Sequence, residues 1–132
     1  MKFGYNELRI KFGLFDYTAI VIIGDKANLR RYLRWKFEDD DFVLGYNRHT
    51  RGLVVGRQGY CPIMWLPKRP RTCTEIATVA HECVHVMMHL FSWAGMSVTE
   101  DTEEIMAHGV AYMTRMILVK SLPKLAKKGG KI

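Results

Sequence analysis

From Thr78 to Phe91 the chain reads TVAHECVHVMMHLF, with His81, Glu82 and His85 set into an otherwise apolar run. If the run is a helix, residues four apart share a face. His81 and His85 then aim two imidazoles at one point, at a separation that a tetrahedral zinc ion bridges. Glu82 lies at the rim of that stripe. There a carboxylate can take a proton from a metal-activated water without being a ligand itself. The plainer alternative is that these are satisfied core residues. The neighbours argue against it, because Ile76, Ala77, Val79, Ala80, Cys83, Val84, Val86, Met87 and Met88 make the helix apolar on nearly every side. Imidazoles and a carboxylate in such surroundings need partners, and a metal supplies them.

A zinc site with two histidines needs a third protein donor. No histidine follows at the spacing of a local third ligand, since His85 is succeeded by VMMHLFSWAGM. The next segment offers Glu100, Asp101, Glu103 and Glu104. Glu104 is the first choice. Ala107, His108 and Ala111 occupy its face, and small residues let two helices approach closely. Glu103, which shares a face with Met106, Ala107, Val110 and Thr114, is the second choice. Glu100 and Asp101 read as first-turn residues favoured by the helix dipole. His108, Tyr112 and Arg115 lie near Glu104, and His108 is the candidate to stabilise an oxyanion. His89 continues the four-residue series but drifts around the helix, so it reads as a surface or supporting residue. His49 reads as a loop residue, Cys83 as buried, and the methionines as core filler.

TVAHECVH followed by EEIMAHGVAYM resembles the short-spacer gluzincin-type zinc metallopeptidases, especially small HExxH proteins encoded by bacteriophages and mobile elements. The likeness is close from Thr74 to about Leu118 and only architectural over the preceding strands. It implies zinc held by His81, His85 and Glu104, the last in an E-x-x-A context, with Glu82 as general base in peptide hydrolysis. It also implies an edge strand that binds an extended peptide, a position matched by Tyr60 to Leu66. The alternative function is a catalytically silent zinc-stabilised binding protein, or a phage virion or host-interaction component.

Several elements must position these residues. FDYTAIVIIGD, Phe15 to Asp25, is rich in β-branched residues and predicts a buried strand. A helix follows with Leu29, Tyr32, Leu33 and Phe37 at helical spacing and Asp25 as N-cap. It should stop by Phe37 or Glu38, because Asp39 to Asp41 would meet the negative end of the dipole. Leu53–Val55, a turn from Gly56 to Gly59, and Tyr60–Leu66 predict a hairpin whose second strand, containing Pro62, is an edge. A long helix runs from about Thr74 to Trp93 and is capped by Gly95. The last helix has N-cap boxes at Ser97–Glu100 and Asp101–Glu104 and ends near Leu122, before Pro123. The expected class is α+β, a minimal zincin-like domain over residues 1–122 with a basic tail over 123–132.

Composition sets the outer bounds. A chain of 132 residues, 48% hydrophobic and 25% charged, builds one globular core. The net charge of +7 and pI near 9.5 permit contact with nucleic acid through Arg30, Arg31 and Arg34 or through the tail. No aromatic residue interleaves the tail's lysines, so a solvated terminus is preferred to a nucleic-acid partner. Three cysteines without a CxxC pair imply reduced thiols and a cytoplasmic setting, the host's if the chain is phage-encoded. No apolar stretch reaches the length of a membrane span, and the first residues do not form a secretory signal.

Overall fold

The computed structural model describes residues 6–13, 16–37, 51–56 and 59–121. The β-branched run becomes strand β2 (Tyr17–Ile23), in which every residue except Thr18 is buried. Its side chains divide between two cores. Ala19, Val21 and Ile23 enter one, while Ile20 and Ile22 enter the other. Apolar surface on both faces is what an interior strand requires.

Strand β1 (Asn6–Phe12) pairs antiparallel with β2, in the register Ile10↔Ala19. It was not anticipated from sequence, although Leu8, Ile10 and Phe12 alternate with Glu7, Arg9 and Lys11. Strand β3 (Leu53–Val55) pairs antiparallel with β4 (Ile63–Leu66), and β4 pairs parallel with β2. The sheet order is β1-β2-β4-β3 among the described residues. The expected edge position of Tyr60–Leu66 is therefore corrected: β4 is interior, and the edge beside it is β3. Pro62 precedes the strand, so its missing N–H interrupts no ladder, and its carbonyl accepts from Ile20 N at 3.0 Å.

Helix α1 (Lys26–Phe37) covers one face of the sheet with Leu29, Tyr32 and Leu33, packed on Ile63 and Trp65. Asp25 caps it as the sequence predicts, its Oδ1 accepting from Asn28 N at 2.8 Å. Helices α2 (Cys73–Ala94) and α3 (Glu103–Ser121) cover the other face. The described residues thus form an α+β arrangement, a small mixed four-stranded sheet with three helices. No helix among them is long and apolar enough to cross a membrane. Asp39 to Asp41, His49, the turn residues Arg57 and Gln58, Pro123 and the segment 123–132 lie outside the described residues.

The ends of α2 are fixed by local chemistry. Thr72 Oγ1 accepts from Glu75 N at 3.2 Å, and Glu75 Oε1 accepts from Thr72 N at 3.1 Å, a reciprocal capping box. At the other end Gly95 adopts φ 69°, a left-handed conformation that costs a side-chain-bearing residue about 1–2 kcal/mol. Helix α3 uses neither expected box. Thr102 Oγ1 accepts from Thr99 N at 2.8 Å and donates to Ser97 O at 2.6 Å. Tyr112 OH and Lys120 Nζ then donate to the carbonyls of Lys11 and Arg9, tying α3 to β1.

Two stability predictions follow from these contacts. The Arg71 amide, the Lys68 ammonium and the Thr72 amide hold the Glu75 carboxyl down to about 2, against an ordinary value of 4.5. A carboxyl lowered in the folded state stabilises above its unfolded value and loses that contribution as pH falls through its folded one. Glu75→Gln should therefore flatten the loss of stability between pH 4.5 and 2, read as urea midpoints across that range. Leu90, 2% exposed in the core under α2 and α3, should cost about 2–5 kcal/mol on truncation to Ala by the same measurement.

Candidate metal centre

Side chains alternate along β3, so Gly52, Val54 and Gly56 share the face turned to α2, and Val54 packs into the core there. Gly52 lies over the helix at Thr78 and Glu82. A Cβ on Gly52 would stand 3.0 Å from Glu82 Cγ and 3.3 Å from Glu82 Oε1. Gly56 lies against the His89 ring so closely that a Cβ would overlap it. Strand β3 therefore runs along α2 from the level of Glu82 to that of His89.

On this side of α2 the candidate residues separate by burial. The Glu82 side chain is 9% exposed, whereas that of His81 is 69% exposed, with His81 Nε2 4.0 Å from Glu82 Oε1. Burial pushes the Glu82 carboxyl above its ordinary value, and the neighbouring His81 and His85 oppose the shift. His89, half-buried under Gly56, is lowered by burial and then by the like charge of His85. Cys83 is fully buried, as its position opposite the histidine stripe predicts, and burial raises its thiol to about 11.

The histidine pair fits a metal in donor type and spacing. The His81 and His85 ring centroids are 5.1 Å apart, with planes at 70°. A tetrahedral ion with Zn–N of about 2.0–2.1 Å sets two imidazole centroids about 5 Å apart, so the centroid separation is compatible with a shared ion. The number of donors is smaller than the sequence suggested. Among the described residues no group of three His, Cys, Asp or Glu side chains is assembled for a metal ion.

Glu104 instead pairs with His108 at 3.3 Å, both side chains well exposed, and lines a hollow with Phe12, Met87 and Leu90. Two geometric terms keep Glu104 from the histidines. Gly109 packs on Met87, while Ala80 and Val84 line a groove with Thr114 and Leu118, so α2 and α3 are antiparallel. Glu104 then stands level with about residue 92, about 10 Å along the axis beyond His85. Met87 and Leu90 also lie about 140–200° around α2 from His85. Glu103 lines the Ala80–Val84 groove, and His108 faces Glu104 rather than Glu82. The structure thus brings together His81, Glu82 and His85, and it places Glu104 and His108 together elsewhere.

Sequence reasoning did not single out Gly52, Gly56 or Thr78. A signal for the glycines was present, because in GLVVG two residues lacking Cβ are four apart on a strand and face the same way. No family model, curated protein or solved structure matches the chain.

Gly52→Val should destabilise by about 1–3 kcal/mol through overpacking against Thr78 and Glu82. Gly13→Ala, whose Cβ meets nothing within 4 Å, should stay within about 0.5 kcal/mol of the parent. Urea denaturation of both variants checks the contrast.

Proposed function

We propose that the chain is a zinc-dependent hydrolase of peptide bonds, with a zincin-like centre on the α2 face beside β3. The observation that carries this reading is the buried Glu82 carboxyl held beside two exposed imidazoles at the spacing of a tetrahedral site. A zinc ion held by His81 and His85, with a third donor that the described residues do not bring to the pair, would supply Lewis acidity and lower the pKa of a water molecule. Glu82 would be the residue that accepts that water's proton. The roof formed by Gly52 fixes the carboxyl's position without covering the histidines.

The edge of β3 is where a peptide would lie. The opposite edge is blunted, because the Arg9 and Lys11 carbonyls of β1 are taken by Lys120 and Tyr112. An extended peptide pairing with β3 would gain main-chain hydrogen bonds and pass beside Glu82. This moves the substrate strand from the expected 60–66 to 53–55, next to the same helix face.

A second reading is a zinc-stabilised binding protein without turnover. The Glu104–His108 pairing favours it, since it leaves the histidines without the expected carboxylate donor. Glu82→Gln separates the two readings. Under the hydrolase reading this variant keeps its zinc, measured by atomic emission, and loses about 10²–10⁴-fold in peptide cleavage. Unchanged cleavage by Glu82→Gln would overturn that reading. Glu104→Gln should leave zinc content unaltered, and zinc loss in that variant would show that α3 repositions on metal binding.

A further inference from the structure

We propose that a cavity adjoining the centre selects a carboxylate of the substrate, either an acidic side chain or a free C-terminus. The proposal rests on the hydrolase reading for its role in turnover and on separate residues for its chemistry. Strands β2 and β4 are parallel, so Ile23 and Leu66 end at the same margin of the sheet. The chain leaves that margin into α1 on one side and toward α2 on the other, and a cavity of about 660 Å³ opens between them. Trp65 and Leu66 contribute to its lining. Trp65 Nε1 donates to Gly24 O at 2.8 Å, which commits the indole's polar atom away from any ligand.

The charged lining is asymmetric in what it has left to offer. Lys26, Arg51 and Lys68 border the cavity together with Asp25 and Glu75. Both carboxylates are already committed. Asp25 caps α1, and Glu75 accepts from the Arg71 and Thr72 amides while pairing with Lys68 at 3.0 Å. These caps also use amides of both helix starts, and Lys68 is taken up by Glu75, so recognition falls to Arg51. Arg51 is exposed, and its guanidinium has no partner among the described residues. A guanidinium binds carboxylate through two parallel hydrogen bonds, the strongest such pairing a side chain offers.

Position links the cavity to the centre. Thr78 lines the cavity and lies one helical turn before Glu82. Arg51 immediately precedes Gly52, the residue packed on both. A peptide running along β3 therefore meets Arg51 at one end. At the other end, near Gly56 and His89, it meets a hollow of about 440 Å³ walled by Tyr17, Tyr60 and Trp93. The hollows at the two ends of β3 therefore differ, with Arg51 bordering the first and aromatic rings walling the second, and a carboxylate is directed to the first.

The test is equilibrium binding of labelled peptides to the full-length chain, read by fluorescence polarisation with a chelator present to suppress cleavage. Three matched peptides are compared: internal Glu with an amidated end, internal Gln with a free carboxylate, and internal Gln with an amidated end. One carboxylate peptide should bind about tenfold tighter than the neutral one, and Arg51→Gln should abolish the difference. Which peptide gains identifies the source of the carboxylate. Equal affinity for all three, no binding, or a preference that survives Arg51→Gln would overturn the proposal. Zinc-dependent cleavage is measured separately. A carboxylate preference without cleavage counts against the hydrolase reading alone.

Discussion

The close approach of β3 to α2 governs the candidate site. Two glycines without Cβ atoms, Gly52 and Gly56, let the strand backbone lie against the helix at Glu82 and at His89. Between them Val54 reaches into the core that α2 shares with the sheet. A carboxyl is thereby taken out of water while the imidazoles beside it stay exposed. Taking an ionised carboxyl from water is costly unless a partner compensates. The local partner is the histidine pair, and a cation held there would strengthen the compensation.

The remaining architecture keeps α2 in that relation to the sheet. Val79, Cys83, Val86 and Leu90 bury one side of the helix in the core it shares with the sheet. Helix α3 buries a second side, and its hydrogen bonds to β1 tie the far edge of the sheet to the helical layer. Helix α1 fills the other face, and among the described residues no element covers the outer edge of β3. Among the described residues β3 is an edge strand, and it runs between the helix face that carries the histidines and the cavity that Arg51 borders.

Sequence periodicity was enough for the three helices. The C-terminal limit of α2 was legible because Gly95 can stop a helix in the left-handed region, whereas its start was placed near Thr74 without the Thr72–Glu75 box that fixes it. The His81–Glu82–His85 cluster was legible for the same reason, since helical spacing alone brings it together. Strand β1 was missed although its alternation is regular, because charged residues at every second position disguised a strand with one wet face. The edge assignment of Tyr60–Leu66 failed because Pro62 sits before the ladder rather than in it. The partnership of Glu104 with the histidines depended on the register and rotation of two packed helices. Those are set by contacts such as Gly109 on Met87, which no spacing within one segment encodes.

The central claim is the proposal that His81 and His85 bind a zinc ion. Anomalous diffraction at the zinc edge, from crystals of the full chain grown with zinc, tests it most directly. The account predicts one strong peak about 2.0–2.1 Å from an imidazole nitrogen of each histidine, with the Glu82 carboxyl beside it but outside bonding distance. Stoichiometric zinc bound elsewhere, or no peak at the pair, would contradict it.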